Sequence, residues 1–399
     1  MKHSHYILAL AIVSFGLTSV YGCETIAKKE TKPVLIAKSS KITEETDKAD
    51  NNTVKIALLL DTSNSMDGLI NQAKAQLWDV VNKFTHAKCG NQVRPKLEIA
   101  LYQYGNDNLS SKEGYIQQVL GFSNDLDEIS EKLFSLTTNG GEEYCGEVIQ
   151  TSLRQLEWGK NPDNLKMIFI AGNEPFSQGK LDYRDAISNA KEKDVVVNTI
   201  FCGNYEQGVQ TDWKSGANLT GGEYMAIDHN RKVVHIDTPY DEIIIKLNTR
   251  LNGTYVSYGT SGQERMRKQA VQDQNAMEME DAVAIKRAVS KSSGLYKNTS
   301  WDLVDAVSDD EEVLSDLPEE KLPKALQNKT EAEIKAYIAA KKAERIKIQE
   351  EIQEMNEKRN AYIAKNQKEA STGELENAML RAIVKQAERK NYKWDKDDQ

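Results

Sequence analysis

The stretch from Val54 to Met66 constrains the fold of this chain more than any other. It reads V-K-I-A-L-L-L-D-T-S-N-S-M, and its first part is almost unbroken apolar. That composition is typical of a strand buried on both faces of a parallel sheet. Apolar residues at helical spacing follow from Leu69 to Phe84. The pattern predicts a strand, a polar turn and a helix, with the turn at the sheet edge where open α/β folds bind ligands.

Three oxygen donors lie in that turn at alternate positions, namely Asp61, Ser63 and Ser65. Alternate residues can direct a carboxylate and two hydroxyls into one hollow. Carboxylate, hydroxyl and water oxygens are the ligands that Mg2+ prefers. The turn therefore predicts a divalent-cation site. The alternative is that these residues only cap the helix, because Asp and Ser are good N-cap residues.

The sequence Asp61-Thr62-Ser63-Asn64-Ser65 after a buried strand resembles the metal-ion-dependent adhesion site of von Willebrand factor A (VWA) domains. Strand and helix patterns alternate through residues 54–258, which is the signature of an α/β protein. The resemblance implies a Rossmann-like, doubly wound and mostly parallel sheet over residues 54–258. The stretches I-A-G-N-E-P-F and T-I-F-C-G also look like those of bacterial secreted VWA proteins of unassigned role.

Two further loops, residues 137–146 and 171–176, leave strand ends at the same edge. In the family these loops supply a threonine and an aspartate to the metal. This chain departs from that pattern, because Glu-Glu follows Gly140-Gly141 and a glycine stands at position 172. Our hypothesis is that one glutamate from each loop joins Asp61, Ser63 and Ser65; the candidates are Glu142, Glu143 and Glu174. The protein would then supply a carboxylate that a partner supplies in the family, giving a closed or structural site. The alternative is that these glutamates cap helices in solvent.

The N-terminus has the features of a targeting segment. A polar start precedes an apolar run, and V-Y-G-C at residues 20–23 is similar to a bacterial lipobox. It predicts a lipoprotein signal peptide at residues 1–22 and lipidation of Cys23, which would anchor the protein to a membrane. A plain secretory signal is the alternative. Residues 23–53 are polar and predict a flexible tether.

Three cysteines remain if Cys23 is lipidated, and an oxidising compartment permits a disulfide. Cys145 and Cys202 both lie near the predicted carboxyl edge, whereas Cys89 should lie at the far end. We therefore expect a Cys145–Cys202 disulfide, with three buried thiols as the alternative.

Residues 259–399 have no strand pattern and predict an all-α region. Residues 264–290 predict one long helix and residues 330–370 the longest helix, with a further helix at 374–390. Arg345 and Arg359 fall at seam positions of the best heptad register, which makes a coiled coil poor. An intramolecular hairpin or bundle is favoured, and a charged stalk for a partner is the alternative.

The formal net charge of -9 argues against a nucleic-acid-binding protein. No apolar run reaches the ~20 residues that span a bilayer. Histidine spacings of metalloenzymes, nucleophile elbows and phosphate-binding loops are absent from the sequence. We expect no enzyme and no small-molecule substrate, but an envelope lipoprotein that binds a protein partner, with Mg2+ or another divalent cation as cofactor. The alternatives are a structural envelope protein with a degenerate, metal-free site and a metal-dependent hydrolase.

Overall fold

The computed structural model describes residues 52–85, 87–89, 95–230, 235–366 and 374–394. Its strands are β1 (Thr53–Asp61), β2 (Lys88–Cys89), β3 (Lys96–Tyr104), β4 (Ile116–Ser123), β5 (Leu165–Gly172), β6 (Val196–Cys202), β7 (Tyr224–Ile227) and β8 (Tyr392–Lys393). The helices before residue 260 are α1 (Asp67–Thr85), α2 (Leu126–Phe134), α3 (Cys145–Gln155), α4 (Tyr183–Glu192), α5 (Tyr205–Gln210), α6 (Trp213–Asn218) and α7 (Asp241–Asn252). Those after it are α8 (Gly262–Met279), α9 (Asp281–Lys291), α10 (Leu303–Asp309), α11 (Val313–Asp316), α12 (Glu331–Asn366) and α13 (Glu374–Glu388).

Six strands form one sheet in the order β4-β3-β1-β5-β6-β7, and β2 pairs with β8 separately. All neighbours in the large sheet are parallel except β3 and β4, which are antiparallel. β1 lies between β3 and β5, so its end is flanked by two other strand ends. This architecture confirms the predicted doubly wound, mostly parallel sheet with a helical C-terminal region.

Helices cover both faces of the sheet because side chains alternate along each buried strand. On one face Ile56, Leu58 and Leu60 of β1 join a core with α1, α2, α7, α9 and α13. On the other face Ala57 and Leu59 pack with α3, α4 and α6. The apolar run of β1 therefore reflects burial on two sides.

The predicted long helix over residues 264–290 is wrong, because the chain breaks into α8 and α9 at Glu280. Glu280 has an extended backbone (φ -167°, ψ 147°). The break lets α9 fold back on α8. Asp273 of α8 then accepts hydrogen bonds from Arg287 Nε, at 2.7 Å, and from Lys291 Nζ. The two positive charges of α9 thus neutralise a largely buried carboxylate of α8.

The longest helix, α12, packs one side against α7, α9 and α10 of the same chain. Arg345, which is unsuited to a coiled-coil seam, donates to Asp302 and Asp305, both at 2.7 Å. Arg359 donates to Asp241 at 2.9 Å. The arginines are therefore matched by acidic residues of the same chain, which supports the favoured intramolecular packing over the alternative of a free stalk.

The C-terminal helix α13 returns to the sheet, where it contacts α1, β5, β6 and β7. Its Gln386 exchanges hydrogen bonds with Asn198 of β6, and both side chains are buried. The described residues belong to one compact unit, and the predicted boundary after residue 258 falls inside it.

The predicted signal peptide, Cys23 and nearly all of the tether lie outside the described residues. Within the described part of the chain, no helix is long and apolar enough to cross a membrane.

Candidate metal centre

The centre of the site is Asp61, the last residue of β1, which is fully buried. Its Oδ1 accepts from the backbone N–H of Ser63 at 2.8 Å. Ser63 is also buried, with 5% of its surface exposed. Neither Asp61 Oδ2 nor Ser63 Oγ has a hydrogen-bond partner among the described residues. A buried oxygen without a partner costs free energy. The turn therefore holds two oxygen atoms that a cation would satisfy.

The loop before α3 brings Glu143 to this turn. Glu143 is only 7% exposed, and it lies over Gly105, which follows β3. A Cβ built on Gly105 would lie 2.6 Å from Glu143 Cγ and 3.0 Å from Asp61 Oδ1. The two acidic side chains thus share one space, which glycine leaves open at φ +75°.

The other predicted ligands are placed differently. Ser65 is exposed, and its Oγ accepts from Asn173 Nδ2 at 3.1 Å. Glu174 follows that asparagine and is exposed. Glu142 faces outward, where it accepts from Gln178 Nε2 at 3.0 Å. The structure thus brings Asp61, Ser63 and Glu143 together and separates Glu142 from them.

A tyrosine takes the space beside Gly172, where the family commonly has an aspartate. A Cβ on Gly172 would lie 2.5 Å from Tyr104 Oη and 3.1 Å from Asp61 Oδ2. Tyr104 is fully buried and donates to the carbonyl of Ala171 at 2.9 Å. The loss of a side chain at position 172 is therefore matched by a hydroxyl from β3.

Asn106 is a second residue that sequence reasoning missed. Its Nδ2 donates to the carbonyls of Thr62 and Thr137 at 3.3 and 2.9 Å, and the N–H of Asn139 donates to Thr62 O at 3.0 Å. These bonds join three loops into one framework. The available signal was its position just after Gly105, which follows the apolar stretch that forms β3.

Crowding of acidic groups gives the site its electrostatic character. Burial, followed by the negative charge of Glu174, raises the pKa of Asp61 to about 7. Burial and the charges of Asp61 and Glu174 raise the pKa of Glu143 to about 7 as well. Because a nearby positive charge favours ionised carboxylates, a bound cation would relieve this repulsion.

The donor set suits a hard cation. The described residues contain no group of three or more His, Cys, Asp or Glu side chains arranged to hold a metal. A cation here would therefore need hydroxyl and water oxygens beside the carboxylates of Asp61 and Glu143. Mg2+ accepts that mixture, and the unpartnered oxygens of Asp61 and Ser63 fit it.

The expected Cys145–Cys202 disulfide is wrong, since both cysteines are free and buried. Cys202 belongs to the core on the α1 face of the sheet and Cys145 to the core on the α3 face. Two residues at the same edge but on opposite faces cannot form this bond. Burial raises the pKa of both thiols, which makes them poor nucleophiles.

Residues 55–213 match the family described as von Willebrand factor type A domain, so this part of the chain is similar to a VWA domain. Among solved structures, the chain is similar to proximal thread matrix protein 1 from the mussel byssus, with 14% identity over 45% of this chain and a TM-score of 0.34. It spans 43% of that protein's length. Another structure of that protein has a zinc-occupied MIDAS motif, with 14% identity, coverage of 44% of this chain and 42% of that one, and a TM-score of 0.34.

The conserved hypothetical protein BatB from Bacteroides thetaiotaomicron is also similar, with 15% identity over 44% of this chain and 90% of BatB, and a TM-score of 0.34. No curated protein sequence matches the chain.

Proposed function

We propose that this chain is a lipid-anchored protein of the bacterial cell envelope whose VWA domain binds another protein through a divalent cation. VWA domains are protein-interaction and adhesion modules. Asp61, Ser63 and Glu143 would hold the cation, with Ser65 beside them. Mg2+ is the first candidate because all of these donors are oxygen atoms.

The unpartnered Oδ2 of buried Asp61 is the observation that carries the proposal. A capping aspartate would use its oxygens on the helix N–H groups. Asp61 Oδ1 instead accepts a hydrogen bond from the N–H of Ser63, which lies before α1. Asp61 Oδ2 lies next to Gly172 and has no hydrogen-bond partner among the described residues. A cation explains this arrangement better than a capping role does.

Calorimetric titration of Mg2+, Mn2+ and Ca2+ into the chelator-stripped protein tests the proposal. We expect saturable binding, weakened roughly 10- to 100-fold or more in Asp61→Asn. Asp185→Asn, an exposed change on α4, is the matched control and should bind like the parent. Absence of binding by the parent would favour the metal-free structural alternative.

Exposed and half-buried tyrosines at the same end of the sheet support the choice of a protein as partner. Tyr205 at the start of α5 is 45% exposed, and Tyr144 next to Glu143 contacts Tyr115 with ring centroids 6.2 Å apart. Tyrosines are enriched where proteins bind each other. Pull-down with immobilised protein in Mg2+ or chelator should recover a partner only with the cation.

The envelope location rests on the lipobox-like sequence before Cys23. We expect metabolic labelling with a radioactive fatty acid to mark the protein, and Cys23→Ser to abolish the label. A secreted, unlabelled parent would support the plain signal peptide instead.

A further inference from the structure

A cavity of about 220 Å³ lies between α7, α8 and α9. Its polar wall comes from Asn248 of α7, Asp273 of α8 and Arg287 of α9. The apolar wall comes from three side chains of the same helices, namely Ile245, Met277 and Ala284. Met277 is 39% exposed, so the cavity reaches the surface. Pockets for drug-sized ligands typically enclose about 300–1000 Å³, and this smaller volume suits a smaller molecule.

The guanidinium group of Arg287 is held rigidly beside the cavity. Its Nε donates to Asp273 Oδ1 and its Nη2 to Asp127 Oδ1, both at 2.7 Å. One face lies over the ring of Trp78, with Cζ 4.9 Å from the ring centroid. The side chain is only 1% exposed, yet Nη1 has no hydrogen-bond partner among the described residues. Because the other two nitrogens are engaged, Nη1 is the donor of Arg287 that remains for a molecule in the cavity.

Asn248 supplies an unpaired acceptor to the same cavity. Its Nδ2 donates to Asp273 Oδ2 at 3.1 Å, which fixes the direction of the amide because a carboxylate only accepts. Its Oδ1 is buried and has no hydrogen-bond partner within the described part of the chain. An unpaired buried polar atom costs free energy. The cavity therefore has one donor and one acceptor that a bound molecule would satisfy.

The charges of the ion pairs beside the cavity balance. Asp127 and Asp273 are negative, and Arg287 and Lys291 are positive. Lys291 Nζ donates to both oxygens of Asp273, at 3.0 and 2.7 Å. Asp273 would repel an anion in the cavity, and Arg287 would repel a cation. A neutral molecule avoids both penalties.

We propose that this cavity binds a small neutral molecule that carries a carboxamide. Its carbonyl oxygen accepts from Arg287 Nη1, and its N–H donates to Asn248 Oδ1. A carboxamide offers such an acceptor and such a donor side by side without a charge. The short apolar part of the molecule packs against Ile245, Met277 and Ala284. This inference does not rest on the proposed cation site, which lies at the end of β1.

Three probes of the same shape and different charge test the assignment, namely isobutyramide, isobutyrate and isobutyramidine. Each is titrated in chelator into the full chain, labelled with 13C at its methionine methyl groups. We expect isobutyramide to bind saturably in the millimolar range, at least about 10-fold tighter than the anionic and cationic probes. The methyl signal of Met277 should shift with the same binding curve. Met66 is fully buried outside the cavity, and its signal should stay in place.

Asn248→Ala removes the unpaired acceptor, while Asp273 keeps its hydrogen bonds from Asn252 and from α9. We expect this variant to bind isobutyramide roughly 10-fold more weakly. Asn218→Ala, the same change at an exposed position of α6, should bind like the parent.

Filling the cavity is a second test that does not depend on Asn248. Ala284→Leu places a larger side chain there and should abolish the shift of Met277. Equal binding of the three probes by the parent, or no response of Met277 to isobutyramide, would overturn the assignment and leave water as the occupant. Unchanged isobutyramide binding by Asn248→Ala would overturn it as well, and the comparison of probes in the parent decides if a variant does not fold. Because metal is chelated throughout, none of these outcomes bears on the cation site.

Discussion

At the scale of single residues, Asp61 and Glu143 contribute to how the stability of the protein depends on pH. Burial is the main cause that raises the pKa of both carboxyl groups to about 7, whereas they titrate near 4 in an unfolded chain, at about 3.9 and 4.3. Between these values the native state holds protons that the unfolded state has lost. The free energy of unfolding should therefore fall as the pH rises from about 4 to 7, and this contribution should level off above about 7.

Urea unfolding in chelator at several pH values measures this effect. We expect Asp61→Asn to reduce the loss of stability across the window, because an amide does not ionise. Asp185→Asn should keep the slope of the parent. Mg2+ should restore stability most strongly above about pH 7, where both carboxylates are ionised. A slope that is the same in the parent and Asp61→Asn would contradict the assignment.

Gly172 and Tyr104 give a second prediction at this scale. Gly172→Ala should cost about 1–3 kcal/mol in the free energy of unfolding, because its Cβ would overlap Tyr104 Oη. Tyr104→Phe removes that hydroxyl, so the double variant should lose less stability than the two single variants together. Gly172→Asp, which adds a carboxylate at that position, should not strengthen cation binding. Strictly additive losses would show that the hydroxyl is not the obstacle.

Among the secondary-structure elements, those with a strong local pattern could be predicted from the sequence. The strand ending at Asp61 was evident, because buried strands produce unbroken apolar runs. The antiparallel direction of β4 and the break at Glu280 were not, because both depend on residues distant in sequence. Asp273 and Lys291 show the reason for the break only once α8 and α9 are side by side.

The helix α13 packs on the sheet although it lies far from the strands in the sequence. Ile383 on this helix is fully buried in the sheet core, whereas Ile346 on α12 is 45% exposed. We expect Ile383→Ala to cost about 2–5 kcal/mol in the free energy of unfolding. Ile346→Ala, the same chemical change, should stay within about 0.5 kcal/mol. Equal effects in urea titration would show that α13 is not part of the core.

The candidate site could be predicted only where its residues form a local sequence pattern. Asp61, Ser63 and Ser65 are neighbours in sequence, so a strand followed by polar residues was enough to find them. Tyr104 lies beside Asp61 only because β3 pairs with β1 in the register that aligns these residues. The sequence also could not show which of Glu142 and Glu143 points into the site. The direction of each side chain depends on the backbone hydrogen bonds that hold the loop in place.

At the scale of the whole molecule, the buried side chain of Arg345 holds α12 to α10 and to the segment that follows α7. Arg345 binds Asp302 and Asp305 and also donates to Thr254 O at 2.8 Å. Asp302 is fully buried. Arg345→Ala would leave it without its cation, which typically costs about 3–5 kcal/mol.

The same variant tests whether the sheet and the helices after residue 258 unfold together. We expect Arg345→Ala to lower the urea midpoint while keeping one transition, with tryptophan fluorescence and far-UV circular dichroism coinciding. Lys347→Ala changes a side chain that is 74% exposed and should leave the midpoint close to that of the parent. Two separate transitions in the parent would contradict a single unit. If the fluorescence and circular dichroism transitions coincide, the helices after residue 258 belong to the same folding unit as the sheet. We expect this result because α13 shares the core on the α1 face with β1. Removing those helices would then expose apolar sheet surface, and the cation site should be measured in the full chain.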